Sequence, residues 1–134
     1  VLTDPAGLRE LFALVDRVHL PRAVAGYVAR LVDATHPDSD LAPQAVRDYV
    51  RHGASPRAAI AIVEAARAHA LVAGKPGIGF DDVHAVAVPC VAHRVVLDYR
   101  AKLDGLDATG LVRAVLAEVS ELAEALPAEV EGGR

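Results

Sequence analysis

The run Gly53-Ala54-Ser55-Pro56-Arg57-Ala58 places a permanently charged side chain at a helix start. Ser55 suits the N-cap, where a hydroxyl can accept a hydrogen bond from a first-turn amide. Pro56 falls at the first helical position, where a missing N–H costs nothing. Arg57 follows, beside the free amides and the positive end of the helix dipole. Backbone amide and guanidinium can converge there on one anion, and phosphate is the usual anion at such a place. The plainer reading is that Ser-Pro merely starts a helix and Arg57 is solvated; spacing alone favours it. Gly53 would let the backbone turn tightly into the cap. Just upstream, Arg47 and Arg51 are four apart and on a helix share a face. With His52 they form a candidate basic patch, or simply a solvated one.

Other chemistries fail on spacing. Gly74-Lys75 would belong to a phosphate-binding loop only with glycine at 69 and a hydroxyl residue at 76; the chain has His69 and Pro76. No acidic pair follows a hydrophobic strand in the manner that holds magnesium. The histidines at 19, 36, 52, 69, 84 and 93 form no His-x-x-x-His pair with a nearby acid, so no metal site is read. No Ser-His-Asp arrangement can be argued. The single cysteine, Cys90, cannot form an internal disulfide and reads as a small core residue in the run Val86–Val91.

The elements that must carry Arg57 are helical. Asp4-Pro5 opens a first helix with Leu8, Leu11, Phe12 and Val15 on one face. A second runs from about Pro21 to Ala34, with Val24, Tyr27, Val28, Leu31 and Val32 as its buried stripe. Residues 35–40 are a polar, turn-rich loop. A short helix from Pro43 to Val50 turns Val46, Tyr49 and Val50 inward. Ser55 starts the main helix, which ends near Gly74 and offers a close-packing surface of alanines. Asp81 and Asp82 favour the first turn of the next helix, which Pro89 should kink or break. Residues 95–97 read as an extended segment or a helix end, with room for a small β-hairpin, and residues 99–106 as a connector. Asp107 caps a last helix with Leu111, Val112, Val115, Leu116 and Val119 inside.

Composition agrees with this outline. The 134 residues suffice for one core, and 53% hydrophobic with 4% aromatic residues point to close helix packing through Ala, Leu and Val. A formal charge of -4 argues against general nucleic-acid binding. No apolar run approaches the roughly 18 residues of a membrane-spanning helix, and no signal peptide is apparent. A cytoplasmic setting is therefore expected. The chain begins at Val1, without a methionine, as expected of a processed protein or a piece of a longer one.

One resemblance gathers these features. Gly53-Ala-Ser-Pro-Arg-Ala58, the Ala-rich helix to Ala73, Ile78-Gly-Phe-Asp-Asp-Val83 and Ala92-His93-Arg94 resemble, in that order, the C-terminal helical lid of MoxR-type AAA+ ATPases. The family's pattern is a Gly-x-Ser-x-Arg-Ala segment, an alanine-rich helix, a Thr-Pro-Asp-Asp-Val-like helix start and a His-Arg pair. Gly79-Phe80 stands where the family often has Thr-Pro, one tolerated N-cap for another. The likeness runs from about Leu2 to Leu126.

The expected fold is an all-α bundle of about five to six helices over residues 1–126, with a frayed tail at 127–134. The resemblance implies a lid that closes over ATP held by an N-terminal core outside this chain. It makes Arg57 a sensor-2 arginine at the terminal phosphates, with Ser55 and Pro56 beside it at the nucleotide. ATP and Mg2+ then belong to the parent ATPase, with none bound by the isolated domain, which would not hydrolyse ATP. Neighbouring subunits of a ring, usually a hexamer, are implied partners, with Arg47, Arg51, His93 and Arg94 as interface candidates. Structural work, tying the helix end to the core or to the large domain, is the first reading of His93-Arg94. Chaperone-like maturation of proteins with von Willebrand factor A domains is also implied. Two readings without a nucleotide role stay open. One is a stand-alone helical module that binds a partner protein through an Ala-rich face; the other, disfavoured by the acidic balance, is a helical DNA-binding domain.

Overall fold

The computed structural model describes residues 4–122. Among them are seven α-helices, a 3-10 turn and a two-stranded sheet. The helices are α1 (Pro5–Asp16), α2 (Arg22–Asp33), α3 (Gln44–Tyr49), α4 (Arg57–Val72), α5 (Phe80–Val91), α6 (Tyr99–Leu103) and α7 (Ala108–Glu118). The tail expected at 127–134 lies outside the described residues. The helix beyond the expected five to six is α6, five residues inside the supposed connector and capped by Asp98.

The core forms where small residues let helices meet. Ala58, Ile62, Ala66 and Ala70 recur every fourth residue and make the buried stripe of α4, against which α5 lies. The α2 stripe is the one its spacing predicts, with Val24, Tyr27, Val28, Leu31 and Val32 all buried. Leu111, Val112 and Val115 of α7 complete the core. Phe80 meets the fully buried Tyr27 edge-on, with centroids 5.5 Å apart. By contrast, α1 buries no residue, and Phe12 is 59% exposed. The helix is amphipathic; it packs against α4 with Leu11 and Val15 half-buried, while Leu8 and Phe12 stay exposed.

Three local expectations change. Arg51 is not on α3, which stops at Tyr49; the chain turns extended there to form β1 (Val50–His52). This strand pairs antiparallel with β2 (Val96–Leu97), matching Val50 with Leu97 and His52 with Val96. The extended segment at 95–97 is therefore real, but its mate is the entry to α4 and not a hairpin neighbour. Pro89 stands inside α5 without ending it. Only Cys90 and Val91 follow before the helix tightens into the 3-10 turn Ala92–Arg94, so little ladder is left to disrupt.

Candidate functional site: the start of α4

Helix α4 begins at Arg57, two residues after Ser55. Its first turn closes on the backbone alone. The amide of Ala58 donates to the Ser55 carbonyl at 2.8 Å, and that of Ala59 to the Pro56 carbonyl at 3.1 Å. The expected hydroxyl cap is not made: no side-chain bond caps the helix, and of the amides the Ser55 side chain could serve, that of Ala58 is taken by the Ser55 carbonyl. Pro56, at φ -54 and ψ -23, already has helical geometry. Arg57 is exposed and, among the described residues, its side chain has no hydrogen bond or ion pair. An uncommitted guanidinium is thus held beside the positive end of a 16-residue helix.

The approach to this turn is gripped from the far side of the fold. Thr35 Oγ1 donates to the Val32 carbonyl at 2.6 Å and accepts from the Ala54 amide at 2.9 Å. The His36 Nε2 lies 2.9 Å from the Ala54 carbonyl. A carbonyl can only accept, so that nitrogen carries the proton. Gly53 fits because it has no side chain: a Cβ would fall 2.7 Å from the His36 ring and 2.8 Å from the Thr35 carbonyl oxygen. Close approach, more than turning freedom, is what this glycine supplies. In the sequence, Thr35 stands only in a polar loop and His36 only among histidines without metal-binding spacing.

Of the other candidate residues, Arg47, His93 and Arg94 have local partners. Arg47 donates through Nε to the Ala42 carbonyl at 3.1 Å, and from its terminal nitrogen to the Ser39 carbonyl at 2.8 Å. It laces the loop before α3. Arg51 is exposed on β1, so the two arginines do not share a helix face. Arg94 donates through Nε to the Cys90 carbonyl at 2.9 Å, and His93 Nδ1 lies 3.1 Å from the Pro89 carbonyl oxygen. Both bonds close the end of α5. Cys90 is half-buried, and burial pushes its thiol above the ordinary value, which disfavours a thiolate.

The opposite end of α4 carries a second polar cluster. Asp82 is 0% exposed. Its carboxylate accepts from the Gly79 amide at 2.8 Å and the Lys75 ammonium at 3.1 Å, and lies 2.7 Å from His69 Nδ1. Burial works to raise the Asp82 pKa, but the Gly79 amide, His69 and Lys75 together hold it below the ordinary carboxylate value. The Lys75 ammonium is held above its usual range by Asp81 and Asp82. Before this cluster α4 ends in a Schellman turn: Gly74, at φ 73, donates to the Leu71 carbonyl and Lys75 to that of Ala70, each at 2.9 Å. Among the described residues no group of three or more His, Cys, Asp or Glu side chains could hold a metal ion.

The described residues form a helical bundle with a sheet of two strands, and an exposed arginine opens both α2 and α4. The family model described as AAA lid domain matches residues 42–115. Chaperone MoxR1 of Mycobacterium tuberculosis is 38% identical over 98 residues, which are 73% of this chain and 26% of that protein. The uncharacterized protein YeaC of Bacillus subtilis is 30% identical over 122 residues, 87% of this chain and 35% of that one. A crystal structure described as a "putative ATPase" from Cytophaga hutchinsonii superposes with a TM-score of 0.83 at 25% identity, covering 89% of this chain and 36% of that chain. The chain belongs to the AAA lid domain family, in its MoxR-type branch. It spans between about a quarter and about a third of the length of the curated relatives it matches.

Proposed function

We propose that this domain is the lid of a MoxR-type AAA+ ATPase and that Arg57 contacts the terminal phosphates of ATP held by the N-terminal core of the full-length protein. The observation that carries the reading is the exposed guanidinium of Arg57, without a partner among the described residues, at a helix start whose approach is gripped by Thr35 and His36. Arg22, equally exposed at the start of α2, lies outside the residues matched by the lid family. A guanidinium is always charged and offers a planar fork of donors that fits phosphate. Ser55 and Pro56 shape the turn that aims it. ATP with Mg2+ supplies the phosphoryl chemistry when bound, and its metal ligands would belong to the core. Arg57 adds a fixed positive charge where negative charge develops, and its contact with the third phosphate makes lid position depend on nucleotide state. Such a lid would work in a cytoplasmic ring, with Arg51 and the His93-Arg94 corner toward neighbouring bodies. Its cycle would drive chaperone-like maturation of partner proteins, those with von Willebrand factor A domains among them.

The test is ATP turnover by the full-length protein, wild type against Arg57→Ala, with nucleotide affinity measured alongside. A large fall in turnover with the fold intact is the expected result. Unchanged turnover and affinity would remove Arg57 from the phosphates. That outcome would favour the second reading, a partner-binding module, for which the exposed Leu8 and Phe12 of α1 speak.

A further inference from the structure

We infer that Thr35 and His36 are positioning residues for Arg57, acting through the backbone of Ala54. The inference rests on the phosphate-contacting role proposed for Arg57. Ala54 is fully buried, and both of its backbone polar groups are taken by this one corner. The Thr35 hydroxyl has a single proton, and it is committed to the Val32 carbonyl at 2.6 Å. Its lone pair is thereby turned toward the Ala54 amide, 2.9 Å away, so the direction of both bonds is fixed. The His36 ring closes on the Ala54 carbonyl and leaves no space for a side chain at residue 53. Only Ser55 and Pro56 separate the gripped peptide from Arg57, and the Pro56 ring locks its own φ.

The origin of α4 is thus pinned to the end of α2 by contacts 18 and 19 residues distant in sequence. A guanidinium that must meet a phosphate needs such a fixed origin, because a displacement of about 1 Å at a reacting centre costs on the order of a hundredfold in rate. The Ser55 hydroxyl does not provide it, since it makes no capping bond. The grip on Ala54 does.

The test is a double-mutant cycle in the full-length protein, read as ATP turnover per folded molecule. Thr35→Val keeps the shape of the side chain and removes the hydroxyl. It is expected to lower kcat about three- to tenfold with KM changed less than about twofold, the worth of one hydrogen bond expressed as rate. Thr35→Ser restores the hydroxyl and is expected to recover kcat to within about twofold. In an Arg57→Ala background, Thr35→Val should cause no further fall, because the residue it positions is gone. His36→Ala, at a half-buried site, is the second variant should Thr35→Val fold poorly, with the same silence expected in the Arg57→Ala background. Losses that add in the double variants, or wild-type kcat in the folded single variants, would overturn the positioning role while leaving Arg57 at the phosphates. Wild-type turnover in Arg57→Ala alone would overturn the role of Arg57 itself, and this one with it.

Discussion

The two ends of α4 handle charge in opposite ways. At its C-terminal end, His69, Lys75 and the Gly79 amide converge on the buried Asp82 carboxylate. At its N-terminal end, Arg57 stands in solvent without a partner among the described residues, while Ala54, directly before Ser55-Pro56, is gripped by Thr35 and His36. A buried carboxylate must be satisfied or it destabilises the fold. An exposed cation need not be, so its position is free to serve something outside the domain. The contrast separates a polar group that holds the lid together from one that the lid presents.

The largest effect expected from breaking this contrast is on turnover. Arg57→Ala should lower ATP hydrolysis by the full-length protein about a hundredfold, the scale of one lost charge-stabilising donor. Its unfolding free energy should stay within about 0.5 kcal/mol of wild type, as for other surface substitutions. Asp82→Ala should do the reverse. It strands His69 and the Gly79 amide, leaves Lys75 only Asp81, and should cost about 2–3 kcal/mol in denaturant unfolding, with turnover falling only as the folded fraction falls. A stability loss in Arg57→Ala as large as that in Asp82→Ala would erase the distinction.

Gly53→Ala should be smaller, about 1–3 kcal/mol, because the new Cβ meets the His36 ring and the Thr35 carbonyl. The effect of pH follows from Asp82. Its folded pKa lies below the unfolded one, so the unfolded chain takes up a proton first as pH falls. The stabilisation is present in full above the unfolded value near 3.8 and is lost as pH drops through the folded value. Acid unfolding followed by circular dichroism should therefore be shallower in Asp82→Asn than in wild type. The smallest effect belongs to Ser55→Ala. It should cost less than about 0.5 kcal/mol, since no cap bond is lost, whereas Asp107→Ala should cost about 1 kcal/mol. Asp107 does accept a capping bond, from the Gly110 amide at 2.8 Å.

These differences also show what the sequence could carry. The buried stripe of α2 and the caps at Asp4 and Asp107 depend on neighbours within a turn or two, and they appear where spacing puts them. The Ser55 cap followed the same logic and is not made; the first turn of α4 closes more tightly than an ideal helix and takes the Ala58 amide onto the Ser55 carbonyl. Arg51 left its expected helix face because β1 pairs with β2, a partner far along the chain. Asp82 was legible as a first-turn acid but not as the centre of a network, since His69 lies on a different helix. The grip of Thr35 and His36 on Ala54 left no local pattern at all. It exists only once the end of α2 and the entry to α4 are brought together, and the one trace in the sequence is the glycine at 53.

The most direct test of the central claim is the affinity of the full-length protein for a non-hydrolysable ATP analogue relative to ADP, in wild type and in Arg57→Ala. If Arg57 reads the third phosphate, the wild-type preference for the ATP analogue should shrink by about tenfold or more in the variant, with ADP affinity nearly unchanged. An equal preference in the two proteins would contradict the account and leave α4 with a start that is shaped but not used for nucleotide.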